Sequence, residues 1–169
     1  FETHVADRRI DPSDTSAIFD DSLRVLVCGY YNSAVIERAE VEQIVMDKGA
    51  KQMSRFGPSY DVYLSGSGSS MLDLIYAAVL RRFDAVIDCR SFWPKRRDTD
   101  AVLTLKEVAA ALPICLGCGW TVTDAKKESW KNYRLTGAIS MVASPPKIHD
   151  ELIAMIAPLI EKWESAQET

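Results

Sequence analysis

Residues 60–89 run YDVYLSGSGSSMLDLIYAAVLRRFDAVIDC and predict a strand, a helix and a second strand in direct succession. Tyr60–Ser65 alternates, with Asp61 and Tyr63 on one face and Val62 and Leu64 on the other, which is the period of a strand. Ser69 or Ser70 can cap the helix that follows, whose apolar stripe is Leu72, Ile75, Tyr76 and Val79. Phe83–Cys89 is almost wholly apolar after Asp84, as a parallel strand covered on both faces should be. Such a strand–helix–strand unit implies a parallel sheet.

The same alternation extends in both directions. Upstream, Leu23–Gly29 reads as a strand, and a helix from about Ser33 to Lys48 carries Val41, Ile44 and Val45, with Gly49 closing it. Downstream, the polar connection RSFWPKRRDTD leads into a helix with Val102, Leu105, Ala109 and Leu112 on one side. Pro113–Gly117 reads as a fourth strand, Asp124–Leu135 as a short amphipathic segment and Gly137–Ala143 as a fifth strand. After Ser144-Pro145-Pro146 the last helix presents Leu152, Met155, Ile156, Leu159 and Trp163, and Pro158 inside it predicts a kink. The expectation is an α/β fold in which five strands form a mostly parallel, doubly wound sheet.

With 169 residues, 47% of them apolar, the chain suffices for one core. Residues 1–22 carry six acids and two arginines, a local charge of −4, which leaves 18 of each sign in residues 23–169. That division predicts an N-terminal arm or linker over 1–22 and one domain over 23–169. A neutral body argues against DNA as a partner, and no apolar run is long enough for a membrane helix. The chain begins at Phe1, which reads as a piece of a longer protein or a processed product. Cys28, Cys89 and Cys115 sit in apolar runs, as reduced buried thiols of a cytoplasmic protein do. Cys115 and Cys118 have the spacing of a redox pair or of half a zinc site, but neither His4 nor His149 has a ligand-like neighbour. No metal and no cofactor is expected.

In the order and length of its units, the chain from Leu23 to Trp163 resembles the receiver domain of bacterial response regulators, the CheY-like or flavodoxin-like (βα)5 fold. RVLVCGY is similar to that family's first strand and the 60–89 stretch to its second strand, second helix and third strand. LPICLGCG is similar to its fourth strand, and GAISMVASPPKIHDELIAMIAPLI to its fifth strand, turn and helix. A working receiver needs an acidic pair for Mg²⁺, a phosphoacceptor aspartate, a hydroxyl and a lysine, because the transferring phosphoryl group must be neutralised. Gly29 and Tyr30 stand where the acidic pair belongs, Cys118 at the hydroxyl and Ser144 at the lysine. Asp88 falls one residue early, with Cys89 at the acceptor position. The resemblance therefore implies a degenerate receiver, a non-enzymatic signalling module of two-component type that acts by protein contacts and accepts no phosphate. Its partners would be other domains of the same signalling protein, a partner regulator or a second copy of itself.

Other groupings suggest other chemistry. Gly66-Ser67-Gly68-Ser69-Ser70 is a turn with a cap, or an amide cradle for an anion. Arg90, Trp93, Arg96, Arg97 and Asp100 form a basic-aromatic loop suited to the phosphates and flat base of a nucleotide second messenger such as a cyclic dinucleotide. The same loop reads equally as solvated chain, with Asp98, Thr99 and Asp100 capping the next helix. DCRSF is similar to rhodanese-like domains, with CLGCGW as the place for their cysteine loop. An enzyme on this scaffold would use Cys115, Cys118 or Asp88, although no base is legible beside either thiol. Trp130, Tyr133 and Trp163 fit either a partner face or core.

Overall fold

The computed structural model describes residues 4–5, 8–9, 25–28, 35–47, 74–75, 77–79, 83–93, 103–130 and 135–167. Near the N-terminus β1 (His4–Val5) and β2 (Arg8–Arg9) pair antiparallel, so the predicted arm contains a small hairpin. The main elements are β3 (Val25–Val27), α1 (Val35–Asp47), β4 (Ala85–Asp88), a 3-10 turn (Arg90–Phe92), α2 (Leu105–Val108), α3 (Leu112–Gly117), β5 (Thr121–Thr123), β6 (Met141–Ser144) and α4 (Pro146–Gln167).

The described sheet has four strands in the order β3-β4-β6-β5. β3 and β4 run parallel, with Leu26 opposite Val86, whereas β6 is antiparallel to both of its neighbours, with Val86 opposite Ala143 and Val122 opposite Ala143 from the other side. The predicted five-stranded, mostly parallel doubly wound sheet is therefore corrected to a mixed sheet. The second predicted strand, Tyr60–Ser65, and the loop Gly66–Ser70 lie outside the described residues.

Side-chain alternation sorts the sheet's residues onto two faces. Leu26, Cys28, Val86, Met141 and Ala143 face one core, with Leu74, Ala77, Val108, Ala111 and Cys115 packed over them. Val25, Val27, Ala85, Ile87 and Val142 face the other, under Val41 and Val45 of α1 and Leu152, Ile156, Ile160 and Trp163 of α4. β4 is buried at every position, which explains its uninterrupted apolar run. Among the described residues after position 73, Leu74, Ala77 and Ala78 are buried, and Ile75 and Val79 of the expected stripe pack against the same core; Leu72 and Tyr76 lie outside the described residues.

The largest local correction is at Pro113–Gly117, expected as a strand and found as helix α3. Pro113 occupies its first turn, where the missing N–H costs nothing. Val108, Ala111, Cys115 and Cys118 then form one buried stripe at helical spacing. The helix stops because Gly119 takes φ 78, a left-handed conformation open to glycine. Its N–H donates to Leu116 O at 3.0 Å and that of Trp120 to Cys115 O at 3.0 Å, the paired closure of a Schellman motif. The chain reverses there into β5, whose Thr-Val-Thr is β-branched throughout.

Upstream, α2 is opened by Thr104 and Glu107, a reciprocal capping box. Asp98, Thr99 and Asp100, the expected caps, lie outside the described residues. α4 runs through Pro158, which lies on its exposed side. Trp163 Nε1 donates to Glu40 Oε2 at 3.0 Å, and Lys162 bonds Glu40 Oε1, so the end of α4 is tied to α1. Lys162, the first cause, and Trp163 together hold the Glu40 carboxyl below its ordinary pKa, against a smaller opposing effect of burial.

Candidate functional site

The strand directions bring the ends of β3, β4 and β5 to one edge of the sheet, where β6 begins. Edges at which parallel strands end are where α/β folds place ligands. Cys28 leaves β3 there, its N–H donating to Ile87 O at 2.8 Å. At the end of β4 stands Asp88, wholly buried, and Arg90 turns back onto it. Arg90 Nε donates to Oδ1 at 2.9 Å and Oδ2 at 3.1 Å, Nη2 to Oδ2 at 2.6 Å, and the Arg90 amide to Oδ1 at 3.2 Å. This fork sets the two charges against each other and shapes the 3-10 turn Arg90–Phe92.

At the end of β5 Asp124 is also buried, and it organises the next turn. Its Oδ1 accepts the amides of Lys126 at 2.9 Å and Glu128 at 2.7 Å, while Ser140 Oγ accepts the amide of Ala125 at 2.9 Å. Lys127 takes φ 67 within that turn. Lys126 pairs with Glu164 and lies 5.7 Å from the centre of the Phe92 ring, and Gln167 Nε2 donates to Phe92 O at 2.8 Å. The C-terminal end of α4 thus braces both turns.

Behind β5 and β6, His149 of α4 is buried between two hydroxyls, Nδ1 3.0 Å from Ser144 Oγ and Nε2 3.0 Å from Thr123 Oγ1. Burial lowers its pKa; Asp150 opposes this, and Lys127 adds to it. Sequence reading missed this cluster. The signal was present in the alternation of Thr121-Val-Thr123 and in a histidine on the apolar side of the last helix.

The residues singled out in the sequence are dispersed. Asp88 and Cys89 lie at the edge, but Asp88 is held by Arg90, and burial, with the Asp88 charge second, pushes the Cys89 thiol up. Arg90 and Trp93 are buried, so neither offers an open face to a ligand. Gly29, Tyr30, Arg96, Arg97, Asp100 and Tyr133 lie outside the described residues. Cys118 caps α3, and Ser144 belongs to the His149 cluster. Cys115 sits within α3, where burial and then Cys118 push its thiol up to about 12, too high for a nucleophile at neutral pH. Trp130 is buried in the first core and Trp163 in the second, so neither presents an exposed ring. Among the described residues, the indole N–H groups of Trp93 and Trp130 find no hydrogen-bond partner. Among the described residues no group of three His, Cys, Asp or Glu side chains could hold a metal ion, and no helix is long and apolar enough to cross a membrane.

No family model matches the chain, and no curated protein matches it. A solved structure does: the IMPase of Thermotoga maritima superposes over 94% of this chain and 48% of its own, with a TM-score of 0.57 and 20% identity. The chain spans about half the length of that neighbour. This likeness shows a shared fold and, with the antiparallel β6, overturns the receiver reading and the signalling role attached to it. The expectation of a non-enzyme rested on the receiver fold and is corrected with it. Of the groups in the nucleotide-sensor reading, Arg90 and Trp93 are buried, and Arg96, Arg97 and Asp100 lie outside the described residues.

Proposed function

We propose that this chain is one structural half of an enzyme with a phosphatase fold, acting on a small phosphorylated molecule. The observation that carries the reading is the fold shared with the Thermotoga maritima IMPase, an inositol monophosphatase, over 94% of this chain. The sheet edge supports it. The ends of β3, β4 and β5 meet there, and Arg96, Arg97, Asp98 and Asp100 follow Trp93 closely in the sequence. Guanidinium groups suit phosphate oxygens, and carboxylates suit the water or cation that a phosphoester hydrolysis employs. Asp88 and Arg90 serve this edge by positioning, since their charges are spent on each other.

The neighbour's remaining half would be supplied by further chain of the same protein or by a partner. Four reduced, buried cysteines suit a reducing compartment such as the cytoplasm. The test is release of inorganic phosphate from inositol monophosphate and a panel of sugar and nucleoside phosphates, with and without Mg²⁺, by the full-length protein. Turnover that falls at least tenfold in Arg97→Ala and Asp100→Asn is the expected result. Absence of phosphate release from every substrate by folded full-length protein would overturn the reading.

A further inference from the structure

The hydrogens around His149 do not balance for a neutral ring, and the imbalance points to a switch. Thr123 Oγ1 is placed to donate to Asp124 O at 2.8 Å, and Ser144 Oγ to donate to Pro145 O at 3.2 Å. A hydroxyl has one proton. If both are spent on those carbonyls, each hydroxyl can only accept from the imidazole, which requires an N–H at Nδ1 and at Nε2 together. That is the imidazolium. A neutral ring has one N–H, so one hydroxyl must turn from its carbonyl and donate to the bare ring nitrogen.

The two carbonyl contacts are unequal, and the longer one yields at lower cost. We propose that His149 and Ser144 form a proton-operated switch at the junction of β6 and α4. With the neutral ring, Nε2–H donates to Thr123 and the Ser144 hydroxyl donates to Nδ1. When Nδ1 takes a proton from solvent, the Ser144 hydroxyl rotates to Pro145 O and accepts from the new Nδ1–H. No bond between heavy atoms is made or broken, and the added proton resides on Nδ1. The Thr123 contact with Asp124 O persists in both states, so the turn after β5 keeps its anchor.

Burial explains why the neutral form holds near neutral pH. The charged groups that face the ring are Asp150 on α4, which favours the proton, and Lys127 from the turn after β5, which opposes it; these two also pair with each other at 2.8 Å. The pair is exposed, leaving the two hydroxyls as the groups that accommodate charge inside. Ser144 is wholly buried, which rules it out as a nucleophile open to substrate and leaves it this internal role.

The test is long-range ¹H–¹⁵N spectroscopy of the intact chain labelled at histidine, from pH 8 to 4.5, with His4→Gln to assign the other ring. The expected neutral form is the Nε2–H tautomer, and Ser144→Ala should move the His149 midpoint further down by at least half a pH unit. An Nδ1–H tautomer in the unaltered chain would overturn the proposal without recourse to any variant. So would a midpoint unchanged in folded Ser144→Ala.

Discussion

Replacing Asp88 with alanine should be among the most damaging single changes available to this chain. The carboxylate is fully buried and receives Arg90 Nε and Nη2, the latter at 2.6 Å, while the arginine side chain is 7% exposed. Its removal takes this carboxylate from a guanidinium that has little access to water. Breaking a buried pair from one side costs about 3–5 kcal/mol, because the remaining charge keeps its desolvation and loses its compensation. Against a total stability of about 5–15 kcal/mol for a domain, that is a large share. It corresponds to a fall in Tm of roughly 6–20 °C for a chain of this length. Urea unfolding followed by circular dichroism would measure it. The double variant Asp88→Leu with Arg90→Met removes both charges and retains apolar volume, so it should lie within about 2 kcal/mol of the parent. A single-variant loss under about 1 kcal/mol, or a double variant as unstable as the sum of the singles, would refute the view that charge compensation governs this corner.

Three other outcomes follow from the same geometry. His149 has a folded pKa below the unfolded value of about 6.5, so the unfolded chain binds more protons in the interval between them. Stability should therefore be fully present above about pH 6.5 and decline as the pH falls toward the folded pKa, by about 1.4 kcal/mol per unit of separation; His149→Gln should flatten that slope in pH-dependent urea titrations. Thr104→Ala removes the hydroxyl of the capping box, whose Oγ1 lies 2.7 Å from Glu107 Oε2, and should cost about 1 kcal/mol in the same assay. All four cysteines are buried, so a thiol reagent at pH 8 should label none within minutes in the native state and all four in denaturant; rapid native labelling of Cys115, held up at about 12, would contradict the packing of α3.

Much of the layout was legible because it rests on local pattern. The apolar run at Phe83–Cys89 marked the buried central strand, and the stripe ending at Trp163 marked the long closing helix. Pro113–Gly117 reads as a strand yet folds as a helix because a short apolar run satisfies both. Its punctuation distinguishes them: a proline that opens the first turn, and a glycine after Cys118 in the position of a helix stop. Likewise Thr104-Leu-Lys-Glu107 is a capping box in plain spelling, overlooked beside the acids at 98 and 100. The basic-aromatic loop looked like a ligand site because residue types alone do not reveal that Arg90 and Trp93 turn inward.

By itself, the sequence determined an α/β chain with one central strand covered on both faces, helices above and below it, and thiols kept from solvent. Those features depend on which residues are apolar and at what spacing, and burial enforces that pattern wherever the segment ends up. Only the tertiary structure decided that β6 runs against β4, that Asp88 is matched by Arg90 and that His149 lies between Thr123 and Ser144. A strand's alternation is the same read forward or backward, so its direction is set by the partners it meets across the sheet. Arg90 lies only two residues from Asp88, yet their pairing inside the protein, like the seat of His149 beside Thr123 twenty-six residues away, is fixed only when the core closes around them.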